Sequence, residues 1–271
     1  MSLSVETNEQ YDGYRALAQV YDRLNAEIDY RGWADFVESC FSCYLEGKPE
    51  LVLDLACGTG SMTLALAERG YDMIGVDGSM DMLSVAYERA AERDAPSPLF
   101  LLQDMRTFEL YGTVGAVTCC LDSVNYLLCE DDVRQCFACV HNYLDPDGLF
   151  LFDVNSPYKF KHVYGDNAYV LEDEWTDEDG TERSAYCGWQ NHFDEQTGIC
   201  EFDLSVFERN ENGSYARADE QQKERCYDEV TLRSLLEQTG FSVLGIFSDY
   251  DRSPVTDESE RWYFVARCNK K

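Results

Sequence analysis

The sequence predicts an α/β protein: a doubly wound, mostly parallel sheet with an antiparallel β meander inserted after the fifth strand. Three observations predict it. Between residues 51 and 155, short apolar runs alternate with helical periodicity, as in parallel strands buried on both faces. From about 168 to 226 the period drops to two, the mark of half-buried strands. After about 227 the helix and strand signals return. The expected division is residues 1–155 plus 227–271 for the α/β domain and 156–226 for the insert.

Each element has a local reason. Residues 13–46 read as two helices, with Asp29, Tyr30 and Gly32 near their junction. Leu51 to Leu55 is an apolar run of strand length. Ser61 to Arg69 reads as a helix stopped by Gly70. Met73 to Val76 is a second strand ending at Asp77. Ser79 can cap the next helix, whose apolar face is Leu83, Ala86, Tyr87 and Ala90. Leu99 to Gln103 and Val114 to Cys120 are the third and fourth strands. Asp131 to Leu144 is a helix closed by Asp145-Pro146-Asp147-Gly148, and Leu149 to Val154 is the fifth strand. In the insert, Phe202, Leu204 and Val206 alternate with Glu201, Asp203 and Ser205. Turns are signalled at Asp179-Gly180, Thr197-Gly198 and Asn212-Gly213. Asp228 caps a last helix that ends at Gly240. Ser242 to Ser248 and Arg261 to Arg267 are the final strands.

Composition narrows the function. The 271 residues carry 22 Lys plus Arg against 52 Asp plus Glu, a net charge of −30. That size suits one large domain or a domain with an inserted module. An apolar content of 45% argues against disorder. Nucleic acids and anionic membranes are bound through basic patches, and no basic run here exceeds two residues. No segment reaches the roughly 18 apolar residues of a membrane span. Met1 to Tyr11 carries Glu6 and Glu9 and does not read as a signal peptide. Twelve cysteines without a secretion signal then point to a reducing, cytoplasmic setting. Two Cys-x-x-Cys spacings, Cys40/Cys43 and Cys136/Cys139, lie inside helical patterns rather than on turns. They read as small apolar filler, and no metal site is expected.

The strongest motif is Asp54-Leu55-Ala56-Cys57-Gly58-Thr59-Gly60, where a strand turns into a helix. Gly58 and Gly60 allow close approach of a ligand to the backbone near a helix N-terminus. Asp77 ends the next strand, 77 − 58 = 19 residues on, where an acid can hydrogen-bond both ribose hydroxyls of an adenosine cofactor. A dinucleotide fingerprint would need a third glycine at position 63, which is Thr63. Asp54 suits an ammonium better than a pyrophosphate. S-adenosyl-L-methionine, with an amino group and no phosphate, therefore fits better than NAD. Plain alternatives stand beside each assignment: a tight turn for Asp54 and the glycines, a helix cap for Asp77, a turn residue for Asp104, core packing for Met82 and Tyr21.

The run from Val52 to Gly60 resembles the first motif of class I S-adenosylmethionine-dependent methyltransferases. Gly75-Val76-Asp77-Gly78-Ser79 with Asp81-Met82-Leu83 resembles their second, and Leu102-Gln103-Asp104-Met105 their third. Asp147 to Asp153 resembles the strand after the fourth, and Ala18-Gln19-Val20-Tyr21-Asp22 the opening segment. The resemblance spans most of residues 14–155 and resumes near 227. It is nearest to a bacterial subgroup of small methyltransferases. It implies a Rossmann-like fold of seven strands with the last antiparallel. It also implies S-adenosyl-L-methionine as cofactor and S-adenosyl-L-homocysteine as product. Carried over residue by residue, Gly58, Gly60 and the Ala56 carbonyl would hold the methionine part and Asp54 its ammonium. Asp77 would hold the ribose, and Gly78 and Met82 would flank the adenine. Asp104 would accept from the adenine amino group while the Met105 N–H meets a ring nitrogen. Leu121 would contact the cofactor, and Tyr21 would close over the methionine end.

Ligands in open α/β sheets bind beyond the carboxyl ends of the strands. Asp122, Asn125 and Tyr126, after the fourth strand, are therefore the candidate acceptor-side residues: Asp122 to orient or deprotonate, the other two to orient. His162 and His192 lie nearer the insert and are further base candidates, while His141 sits in a helix pattern. The insert's aromatics, Trp175, Tyr186, Trp189, Phe193 and Phe202, either form its own core or turn one ring toward the acceptor. The expected activity is methyl transfer to a small molecule, an amine or a hydroxyl, by a monomer or homodimer. The rivals are a protein or RNA methyltransferase, an NAD-dependent oxidoreductase, and a non-catalytic cofactor-binding module.

Overall fold

The computed structural model describes residues 28–93, 96–176, 180–210 and 212–270. Tyr21 and the first expected helix lie outside the described residues. Helix α1 (Tyr30–Tyr44) is capped by Asp29, whose carboxylate accepts from the Gly32 N–H. It is followed by β1 (Leu51–Leu55), α2 (Ser61–Glu68), β2 (Asp72–Asp77), α3 (Met80–Ala91), β3 (Leu99–Leu102) and β4 (Val114–Cys119). A 3-10 turn (Ser123–Tyr126) leads to α4 (Glu130–Tyr143) and β5 (Leu144–Asn155). A π-helical turn (Lys159–Tyr164) opens the insert of β6 (Ala168–Thr176), β7 (Glu182–Asp194), β8 (Ile199–Arg209) and β9 (Tyr215–Arg225). Helix α5 (Glu229–Gln238), β10 (Phe241–Phe247) and β11 (Arg261–Cys268) complete the chain.

Seven strands form one sheet in the order β10-β11-β5-β4-β1-β2-β3, and β6-β7-β8-β9 form a second. In the large sheet only β11 runs against its neighbours, pairing antiparallel with both β5 and β10. Alternation along β5 shows why this sheet is covered on both sides. Phe150, Phe152 and Val154 pack with α4 and α5, while Leu149 and Leu151 pack with α1 and α2. The order reverses at β1, between β4 and β2, so the crevice beyond its carboxyl end is where a ligand belongs.

The insert is an antiparallel meander with tight turns at Gly180, Gly198 and Gly213, all in the left-handed region. One face has its own core of Phe160, Cys187, Cys200, Phe202, Leu204 and Val206. Two local expectations change. Tyr87, assigned to the buried face of its helix, is 49% exposed, with its hydroxyl donating to the Phe100 carbonyl. The fifth strand starts five residues earlier than Leu149, because α4 runs straight into extended backbone through the Asp145–Gly148 segment.

Candidate active site

The glycine turn is built by β1, which stops where its direction must reverse. Gly58 has φ +55° and no atom within 4 Å of where a Cβ would stand, so the backbone is open to a ligand there. Gly60 differs. A Cβ on it would lie 3.1 Å from Ala86 and 3.2 Å from Phe100. Its lack of a side chain serves the packing of the turn against α3 and β3, and it does not line the cavity.

Asp54, at the same strand end, is buried. Its carboxylate accepts from the Thr63 hydroxyl at 2.6 Å and the Thr118 hydroxyl at 2.9 Å. Burial pushes its pKa up to about 6, against the pull of those two hydroxyls. Thr63 thus stands where a dinucleotide fold needs glycine and holds the acid instead. Asp77 ends β2 and accepts from the Gly58 N–H and the Ser79 N–H, both at 2.8 Å. One carboxylate therefore joins the glycine turn to the start of α3, while its remaining lone pairs stay available to hydroxyls. Burial raises its pKa, opposed by the N–H groups of Ser79, Gly58 and Gly78.

These groups open into a cavity of about 600 Å³. Asp54, Ala56, Gly58, Asp77, Gly78, Met82, Met105, Leu121, Asp122 and Tyr126 all line it. Asp104 does not. Its carboxylate forks onto Arg106, with Oδ2 to Nη2 at 2.6 Å and Oδ1 to Nε at 3.0 Å. The expected adenine acceptor is thus turned to a neighbouring cation, and Gln103 and Met105 face the cavity in its place. Asn125 is fully buried and also absent from the lining. Its amide donates to the Arg225 carbonyl and accepts from the Asn155 N–H, clamping the end of β9 to the end of β5. It stands behind the cavity, where its contacts hold the insert.

Tyr126 donates to Gln222 of β9 at 2.9 Å. Gln221, Gln222 and Lys223 form the far wall of the cavity, so the insert closes the acceptor side with polar strand residues. Its aromatics do not line it: Trp189 and Phe193 pack with Phe202 and Phe160, and Tyr186 stacks its edge on Tyr215. Those β9 side chains had only alternation as a signal, which cannot say what a face opposes. The histidines are elsewhere. His141 packs on Phe241, His162 on Tyr158, and His192 pairs with Asp166 at 2.8 Å.

The turn after β4 is strained by design of its partners. Leu121 and Asp122 are both left-handed, at φ 58° and 54°. Their N–H groups donate to the two carboxylate oxygens of buried Asp153, at 2.7 and 3.0 Å. Arg261 bridges Asp153 and Asp122, meeting the latter at 2.7 Å. Such local strain persists only where surroundings over-determine it, and it clusters at functional sites.

The residues fit an adenosine cofactor that carries a charged amino acid. Gly58 supplies the open backbone, and the lining carboxylates Asp54 and Asp77 are held by hydroxyl and N–H donors, whereas Asp122 is paired with Arg261 and Lys223 with Glu201. Such a field favours an ammonium and a sulfonium.

Comparison with known proteins agrees. A family model described as a methyltransferase domain matches residues 52–148. A protein of Geobacillus sp. (strain WCH70), assigned as a methyltransferase, is 34% identical over 254 residues, 94% of this chain and 99% of that one. A glycine/sarcosine N-methyltransferase of Aphanothece halophytica is 28% identical over 228 residues, 80% of this chain and 75% of that one. The crystal structure of an S-adenosylmethionine-dependent methyltransferase from Clostridium acetobutylicum superposes with a TM-score of 0.80 at 30% identity, covering 95% of this chain and 99% of that one. Kinship at this level, over nearly the whole of both chains, means that this protein belongs to the class I S-adenosylmethionine-dependent methyltransferases.

Proposed function

We propose that the protein transfers the methyl group of S-adenosylmethionine to the nitrogen of a small amine. One observation carries the reading: the cavity that starts at the glycine turn is walled on its far side by β9 of the insert. About 600 Å³ is the size of a small-molecule chamber. A folded macromolecule would need an open groove, and the charge of −30 further disfavours RNA. Asp122 on the acceptor's side suits a substrate that arrives as an ammonium, and the glycine/sarcosine N-methyltransferase relative points the same way. A cytoplasmic setting fits the twelve cysteines, all free thiols.

Asp54, Asp77 and the Gly58 backbone would hold the cofactor, which supplies a methyl group already activated on a sulfonium. The protein's share is then chiefly positioning, which alone can be worth ~7–11 kcal/mol. Tyr126 and Gln222 shape the acceptor's side of the chamber.

The test measures S-adenosylhomocysteine release with glycine, sarcosine and an amino sugar, against hydroxyl analogues, total protein and tRNA. Turnover with at least one amine and with neither macromolecule is expected. Turnover with tRNA or protein alone would sink the small-amine reading.

A further inference from the structure

Glu224, on β9, is a buried acid of the insert that reaches the loop after β4. It is 2% exposed, accepts from the Asn155 amide at 2.9 Å, and is hydrogen-bonded to the Asp122 carboxyl. Two carboxyls in direct contact hold a shared proton to higher pH than either would alone, because both cannot carry charge at that distance without large cost. Asp122 lines the cavity while Glu224 lies behind it. We propose that Glu224 shares a proton with Asp122 and thereby makes the pair the base that receives the acceptor's proton. This rests on the amine reading above.

The surroundings set the two members apart. Burial opposes charge on Asp122, but Arg261 and Lys159 outweigh it and hold that carboxyl below the usual range. Burial first, then the charge of Asp122, pushes Glu224 well above its range, with Lys159 pulling the other way. The groups facing the pair are Arg261 on β11, Asp153 on β5, Lys159 and Tyr164 on the π-helical turn, and Cys200 on β8, with Glu260 acting on Lys159. The Lys159 ammonium lies over the Tyr164 ring, 5.2 Å from its centre.

A coupled pair loses its first proton at low pH and its second at a raised pH. The second step is the useful one. Above it both carboxylates are ionised. A bound ammonium then loses one N–H proton to the Asp122 oxygen, the N–H bond breaks, and its electron pair stays on nitrogen as the nucleophilic lone pair. The proton settles between the two carboxyls, and the pair passes from two negative charges to one. Asp122 meets the acceptor. Glu224 acts through Asp122 as a positioning residue.

The test has two arms. Infrared spectra of the protein with S-adenosylhomocysteine bound should show a protonated-carboxyl C=O band at neutral pH. The band should vanish at alkaline pH and be missing from Glu224→Gln. In Asp122→Asn it should titrate at lower pH, since the neighbouring charge is gone. In the second arm, kcat/KM for an amine should rise through the same pH range. Glu224→Gln should flatten that limb and lower the upper plateau by about 10²-fold, the usual size of a general-base contribution. Glu224→Asp should restore part of the limb. The thermal shift with S-adenosylhomocysteine should be the same in Glu224→Gln as in wild type, which separates loss of fold from loss of base. A band that survives in Glu224→Gln, or an unchanged pH limb in that variant, overturns the proposal. The band behaving as stated with no methyl transfer to any amine overturns the amine reading and leaves the carboxyl pair supported.

Discussion

Asp54 shows most directly how burial becomes function. Its carboxyl, buried and held by two threonine hydroxyls, titrates near about 6 instead of in the usual carboxylate range. For an acid raised in the folded state, the folded protein binds more protons than the unfolded chain between the two pKa values. Stability of the ligand-free protein therefore falls as pH rises from about 4 to about 6. Cofactor binding has the opposite sign, because an ammonium ligand favours the ionised acid. Affinity for S-adenosylhomocysteine should rise up to about tenfold for each pH unit below about 6, then level off. Calorimetric titration from pH 5 to 8 checks it. Thr63→Val removes a donor to the charged form and should move the rise to higher pH. A flat profile in wild type would refute the role of Asp54. Thr63 was legible only as a missing glycine; its bond to Asp54 needed the structure.

Turns and strands carry the next lesson. Gly58 and Gly60 occupy one turn and look equivalent in the motif, yet their surroundings differ. Alanine at either position meets a positive φ, costing about 1 kcal/mol. At Gly60 the new Cβ also meets Ala86 and Phe100, and overpacking adds about 1–3 kcal/mol. Gly60→Ala should therefore lower Tm clearly more than Gly58→Ala. Gly58→Ala should stay folded but fill the cradle and lose cofactor affinity by tenfold or more. Thermal melts and calorimetry on the two variants decide this; equal loss of Tm would contradict the assignment. At this scale most of the elements could be read from the chain, since apolar runs, caps and Gly turns are local signals. The reading missed at Tyr87, where ring and hydroxyl both find Phe100 without burial, and it held no signal for the partners of Asn125, which are 30 and 100 positions away.

For the whole molecule, charge is the dominant bulk property. A net charge of −30 on one compact body repels itself. Raising ionic strength from about 0.01 M to about 0.15 M shortens the screening length from about 30 Å to about 8 Å. Tm of the ligand-free protein should rise over that range and then level off. A Tm that falls with salt would mean that paired surface charges such as Arg106 with Asp132, rather than net repulsion, dominate. The two sheets add a second property. One wall of the cavity comes from the large sheet's loops and the other from β9, joined through Tyr126–Gln222 and Asn125–Arg225.

The chain by itself determined the parallel sheet, the meander after the fifth strand, the glycine turn and the acids at the ends of β1 and β2. Each depends on residues close in sequence, where periodicity and turn chemistry act directly. Tertiary structure decided which of those residues face the ligand. It turned Asp104 to Arg106, gave Gly60 to packing, and set Asn125 as a clamp. It also brought Glu224 and Arg261 to Asp122. Those meetings join residues about a hundred or more positions apart. Strand pairing in the large sheet sets Arg261 beside the loop after β4, and the insert's own sheet brings Glu224 there; no local pattern records either meeting.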